Sequence, residues 1–259
     1  MNTLFSRFAN QILKTADMAS YRAETDGRGS SHFFEPEMDK LLQAHCARKL
    51  DLRKAVTHDE FELYYQPLVS VEKQEISGFE ALIRWNHPKR GQVAPLDFIS
   101  LAEETGLIVP IGEWVLRQAC SEAVNWPCQI GVSVNLSPAQ FKMRNLVQTV
   151  MSALAQSGLA PQRLELEITE SVMLVDGKST LEILQQLRKL GVRICMDDFG
   201  TGYSSLNYLR SFALDKIKID RSFVHDLAFN ADSRAIIRAV IGLGASLGMV
   251  TTGEGVETQ

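Results

Sequence analysis

From Phe61 onward, short β-rich runs alternate with longer amphipathic runs, and this alternation does most to narrow the folds open to the chain. The predicted strands are Phe61–Tyr65, Ile76–Trp85, Ile130–Leu136, Leu164–Ile168, Val192–Met196, Lys216–Ile219 and Met249–Thr252, all rich in β-branched, aromatic or aliphatic residues. Apolar residues recurring at three- and four-residue spacing predict helices over Ile111–Asn125, Phe141–Gln156, Thr180–Leu190 and Ser233–Leu247. Ser137-Pro138 reads as a helix start, and Gly158, Gly191 and Gly248 read as helix stops. Strands that alternate with helices form a parallel sheet covered by those helices. A doubly wound sheet and a (β/α)8 barrel both satisfy the pattern. Seven strands without a glycine-rich dinucleotide loop favour the barrel.

Charge and composition remove several function classes. The 259 residues carry 27 Lys and Arg against 31 Asp and Glu, a formal charge of −4. That balance gives no basic excess for a nucleic-acid polymer, so an anionic ligand must be held by local cations or bound metals. No run approaches the roughly 18 apolar residues that cross a bilayer, so no transmembrane segment is predicted. Met1–Lys14, with Arg7 and no uninterrupted apolar core, is a poor signal peptide. Cys46, Cys120, Cys128 and Cys195 form no C-x-x-C pair, which predicts a reduced, cytoplasmic protein. The five histidines are equally dispersed, so no zinc site is expected. Residues 15–36 are short and polar, and Gly27-Arg28-Gly29-Ser30-Ser31 reads as a turn or loop. Pro36 then opens a helical stretch suited to a linker or a docking surface.

The informative feature is where polar residues interrupt the apolar strands. Glu80 lies within the second strand, Asn135 near the end of the third, and Glu165 and Glu167 within the fourth. Asp197 and Asp198 terminate the fifth, Lys218 sits between isoleucines, and Glu254 follows the last strand. Parallel α/β folds build their sites at the C-terminal ends of strands. A lone carboxylate there is ordinarily a solvated loop residue or a helix cap; the recurrence on strand after strand carries the reading. Gathered carboxylates repel one another and raise each other's pKa, a conflict that divalent cations resolve. Oxygen ligands without His or Cys favour Mg²⁺ or Mn²⁺ over zinc.

The ordered set Tyr65-Gln66-Pro67, Glu80-Ala81-Leu82-Ile83-Arg84, Asn135-Leu136-Ser137, Glu167-Ile168-Thr169-Glu170, Asp197-Asp198-Phe199-Gly200-Thr201-Gly202-Tyr203-Ser204-Ser205, Lys218-Ile219-Asp220 and Glu254-Gly255-Val256-Glu257 resembles the EAL domain, the family of cyclic-di-GMP phosphodiesterases. The resemblance implies a TIM-like (β/α)8 barrel with an antiparallel first strand, and hydrolysis of cyclic-di-GMP to linear pGpG. It implies that Glu80, Asn135, Glu167 and Asp197 ligate one Mg²⁺ or Mn²⁺, and that Asp197 bridges to a second ion held with Asp198 and Glu254. Two such ions polarise a phosphoryl oxygen and lower the pKa of a bridging water. Lys218 would orient or help deprotonate that water, with Glu80 and Lys218 as the catalytic pair to test. Gln66, Leu82 and Arg84 correspond to positions that contact the ligand, and Arg84 offers a forked donor for phosphate. Glu170 and Glu257 match carboxylates that support the site, Glu170 by steadying the loop from Phe199 to Ser205. A homodimer through the EAL domain is a further implication.

Residues 16–28 resemble the closing segment of a GGDEF (diguanylate cyclase) domain, although Ser20 and Glu24 depart from its pattern. The expected organisation is therefore residues 1–36 as the end of a GGDEF domain, 37–57 as a linker helix and 58–259 as an EAL domain. The sequence stops two residues after Glu257, where the family continues through a further helix, an eighth strand and a last helix. Two functions follow as alternatives. Every metal ligand and Lys218 are present, which favours the phosphodiesterase; the missing strand favours a truncated, inactive remnant or a cyclic-di-GMP-binding module.

Overall fold

The computed structural model describes residues 36–127, 129–143, 145–175, 177–200, 212, 214–227 and 229–256. The segment resembling a GGDEF terminus lies outside them. The chain divides into two units, Met1–His58 and Asp59–Gln259. In the first, helix α1 (Pro36–Ala55) ends with Arg53 and Lys54 in its last turn. Cations there complement the helix dipole. The freed Lys54 carbonyl accepts from Thr57 Oγ1 at 2.9 Å and lies 2.8 Å from His58 Nδ1.

The second unit begins with β1 (Phe61–Ser70), β2 (Glu75–His87) and β3 (Gly91–Val93), followed by α2 (Ile99–Thr105) and α3 (Ile108–Ala123). Strand–helix units follow: β4 (Gly131–Leu136), α4 (Pro138–Phe141), α5 (Leu146–Ser157), β5 (Leu164–Thr169), α6 (Glu170–Val175), α7 (Gly177–Lys189) and β6 (Arg193–Phe199). The last elements are β7 (Lys216–Ile219), α8 (Arg221–His225), α9 (Ala231–Ser246) and β8 (Val250–Gly253). The sheet order is β1-β2-β4-β5-β6-β7-β8, with β3 paired to β2. From β2 to β8 this path is parallel, whereas β1 runs antiparallel to β2. The result is an α/β half-barrel led by an antiparallel strand. Among the described residues, β1 pairs only with β2 and β8 only with β7.

Local signals account for most boundaries. Ser137 caps α4 in a capping box with Gln140, and Pro138 occupies its first turn. Gly158 ends α5 at φ 75°, a left-handed conformation that costs glycine little. The sequence reading ends the first strand at Tyr65, before Pro67, but β1 continues to Ser70. Proline lacks a ladder donor and is tolerated because β1 lies at the end of the sheet. Both faces of the central strands are buried: Leu164, Leu166 and Ile168 alternate with Glu165 and Glu167 along β5, as in a covered parallel sheet. On the helix-facing side, Phe61 meets Trp85, Phe98 and Trp114 at 6.3, 5.9 and 5.9 Å between ring centroids. No helix among the described residues is long and apolar enough to cross a membrane.

Candidate active site

Strand register brings the polar residues of the inner face together. Gln66 lies opposite Glu80, Glu80 pairs Ser133, Asn135 pairs Glu167, and Lys218 pairs Thr252. Lys218 is 1% exposed, and its Nζ is the centre of the cluster. It lies 2.8 Å from Glu167 Oε2, 3.2 Å from Glu80 Oε2, 3.2 Å from Asp197 Oδ1 and 2.6 Å from Glu254 Oε1. Asn135 Nδ2 donates to Glu80 Oε1 at 2.9 Å and joins the rim of the group. All six residues expected at the metal site, together with Lys218, thus converge from six strands.

Asp197 and Asp198 are consecutive, and in a regular strand they would point to opposite faces. The ladder prevents this. Met196 pairs Ile217 and Phe199 pairs Ile219, so β6 carries one residue more than β7 across the step. Such a bulge re-aims side chains. Asp198 takes φ 53°, within the left-handed region that aspartate tolerates better than most residues. Its backbone N–H donates to Asp197 Oδ1 at 3.0 Å. Periodicity alone contained no sign of this bulge.

The cluster holds more negative charge than its lysine can offset. Burial works against the Lys218 cation, but Glu167, Glu80 and Asp197 overcome it and hold its pKa above the ordinary lysine value. Burial pushes Glu167 up to about 8, with Glu80 and Asp197 adding to the rise and Lys218 opposing it. Burial likewise raises Asp198, reinforced by Asp197, and raises Glu254. Glu167 Oε1 is buried and without a hydrogen-bond partner. One ammonium against four carboxylates leaves a surplus that invites further cations.

The donor set fits two ions. Glu80, Glu167 and Asp197 each offer an oxygen within 4.8 Å of the others, and so do Asp197, Asp198 and Glu254. Asp197 belongs to both triads. Hard oxygen donors of this kind suit Mg²⁺ or Mn²⁺. Glu165, Glu167 and Cys195 also approach one another, but Glu165 is already paired with Lys216 at 2.6 Å.

Around the cluster, Leu82 and Arg84 continue the inner face of β2, and the Arg84 guanidinium stands 5.3 Å from the Tyr64 ring centroid. A cavity of about 530 Å³ opens beside Asn135 and Asp198, with Leu82, Leu96 and Ile99 in its wall. Glu170 Oε1 accepts from Gly200 N at 3.0 Å, next to the bulge. The Phe223 ring lies 2.9 Å from where a Cβ would stand on Gly200, so that position has no room for a side chain. Glu257 and Thr201 to Ser205 lie outside the described residues. A Cβ on Gly253 would make an ordinary 3.7 Å contact with Val224.

A half-barrel of parallel strands led by an antiparallel one, with carboxylates gathered around a buried lysine at the strand ends, defines a class of domain. The EAL domain model matches residues 49–259, and the chain belongs to that family. A Sinorhizobium fredii protein named y4lL and described as uncharacterized is 54% identical over 250 residues, covering 96% of this chain and 30% of that protein. The bifunctional diguanylate cyclase/cyclic di-GMP phosphodiesterase MucR of Pseudomonas aeruginosa is 42% identical over 254 residues, covering 96% of this chain and 37% of MucR. The chain therefore spans about a third of the length of these curated relatives. The solved structure of the PaMucR phosphodiesterase in complex with c-di-GMP aligns with a TM-score of 0.78 at 44% identity, covering 82% of this chain and 88% of that one.

Proposed function

We propose that this chain is a metal-dependent phosphodiesterase that hydrolyses one phosphodiester bond of cyclic-di-GMP to give linear pGpG. The observation that carries the reading is the pair of carboxylate triads sharing Asp197 around Lys218. Glu80, Asn135, Glu167 and Asp197 would hold one Mg²⁺ or Mn²⁺, and Asp197, Asp198 and Glu254 a second. When bound, two such ions polarise the phosphoryl oxygen and lower the pKa of water at the site. Lys218 Nζ, an ammonium fixed by four carboxylates, orients the attacking water by donating a hydrogen bond to it. Gln66, Leu82 and Arg84 hold the nucleotide, and Glu170 anchors Gly200 beside Asp198. Glu257 is the further supporting carboxylate of this scheme. The reading includes a cytoplasmic setting and a homodimer through residues 58–259.

The test is incubation of the chain with cyclic-di-GMP and Mg²⁺ or Mn²⁺. Formation of pGpG that is lost with chelator, with Glu80→Ala and with Lys218→Ala supports the enzyme. Calcium should inhibit, because its 2.3–2.6 Å, loosely arranged coordination differs from the roughly 2.0–2.1 Å octahedron of magnesium. Binding without turnover in a folded sample overturns the enzyme and leaves a cyclic-di-GMP-binding module.

A further inference from the structure

Tyr64 takes no part in the helix-facing core, although it is a large aromatic residue in a strand. Its neighbours on that side are Phe61, packed against Trp85, and Tyr65, edge-on to Trp126 at 5.1 Å. Tyr64 instead faces the other way and is 47% exposed. Two polar contacts hold it. The Arg84 guanidinium stands over its ring at 5.3 Å, and Gln92 Nε2 donates to its hydroxyl at 2.8 Å. The same Gln92 nitrogen lies 3.5 Å from Glu62 Oε1, at the limit of a hydrogen bond, so the Glu62 carboxylate keeps acceptor capacity.

The antiparallel register fixes where this ledge lies. Gln66 opposes Glu80, Tyr64 opposes Leu82 and Glu62 opposes Arg84. Opposed residues, and alternate residues along a strand, share a face. Glu62 and Tyr64 therefore lie on the face that carries Glu80. At a rise of ~3.4 Å per residue, Tyr64 stands about 7 Å and Glu62 about 14 Å along the strand from the level of Gln66 and Glu80. That spacing leaves the ledge within reach of a nucleoside whose phosphate sits at the acidic cluster.

We propose that Tyr64 and Glu62 form a ledge that reads one guanine of a bound cyclic dinucleotide, Tyr64 by stacking and Glu62 by accepting from the base edge. The inference rests on the phosphodiesterase reading of the neighbouring cluster. An aromatic ring held at its face and its tip is ordered before the ligand arrives, which lowers the entropy cost of stacking. Guanine presents N1–H and an N2 amino group, two donors that a carboxylate accepts together. Adenine presents the acceptor N1 at the corresponding position, which a carboxylate repels. The ledge therefore supplies both affinity and a preference for guanine.

Binding of cyclic-di-GMP and cyclic-di-AMP in Ca²⁺, followed by calorimetry, tests the inference with the full chain. Tyr64→Ala should weaken cyclic-di-GMP binding roughly tenfold, about 1.4 kcal/mol, while Tyr64→Phe keeps the stacking face and most of the affinity. Glu62→Gln should narrow the preference for cyclic-di-GMP over cyclic-di-AMP roughly tenfold. In turnover assays the loss in Tyr64→Ala should fall on KM far more than on kcat. Unchanged affinity and unchanged base preference in folded variants, beside a wild type that binds, overturn the ledge alone. A folded wild type that neither binds nor cleaves cyclic-di-GMP overturns the phosphodiesterase reading and the ledge with it.

Discussion

On the inner face of β5 and β7, Glu165 meets Lys216, and two residues further along the same strands Glu167 meets Lys218. Residue types and strands repeat, yet the two layers differ in charge. In the lower layer, Glu165 Oε1 lies 2.6 Å from Lys216 Nζ and accepts from Ser133 Oγ at 2.8 Å, while Arg193 Nε stands 4.0 Å from Oε2. Cys195, on the intervening strand, stays a neutral thiol because burial pushes its pKa up. One carboxylate is matched in charge by Lys216, although its Oε2, like Glu167 Oε1, is buried without a hydrogen-bond partner. In the upper layer, one ammonium serves Glu80, Glu167, Asp197 and Glu254. Buried acidic residues alone therefore do not make a site. We place the proposed metal site in the layer whose carboxylates outnumber its cations, because of these two layers that one carries the surplus negative charge.

The largest contrast should appear in activity. Lys218→Ala and Glu167→Gln should each reduce metal-dependent cleavage of cyclic-di-GMP roughly a hundred- to ten-thousandfold, read as pGpG by chromatography. The corresponding change one layer down should act on stability instead. Lys216→Met leaves Glu165, 2% exposed, without its principal partner, and should cost about 3 kcal/mol in urea unfolding. Its turnover should stay within about twofold, and Glu165→Leu combined with Lys216→Met should recover most of the stability. A folded Lys216→Met protein without turnover would erase the distinction between the layers. Among changes at the site itself, Glu170→Ala should have the smallest effect on catalysis, about tenfold, since it releases Gly200 rather than a group in the cluster. Unchanged turnover would remove Glu170 from the mechanism.

The alternation of strand and helix exposed the parallel sheet because each residue type there agrees with its neighbours in period. β7 lies at Lys216–Ile219, as the sequence reading places it, since four alternating residues between clear loop signals leave little choice of register. Expectation and structure diverge where tertiary context decides. Pro67 does not end β1, because an end strand can spare the donor. The short β3 and α2 lack a long apolar period, so the sequence does not mark them. Within the site, residue identities at strand ends showed which groups gather. They did not show that a bulge turns Asp198 toward the same side as Asp197, or that Lys218 sits at the centre of four carboxylates. Both depend on register between strands far apart in sequence. Tyr64 is not legible for a simpler reason: a tyrosine in a strand looks like core until the partner strand fixes its face.

The claim that the acidic surplus around Lys218 is a two-metal site is tested most directly by counting ions. Metal-free protein titrated with Mn²⁺ should bind two ions per chain, and Asp197→Asn, which alters the carboxylate common to both triads, should lose at least one of them. A folded wild-type chain that binds no Mn²⁺ at millimolar concentration would contradict the claim.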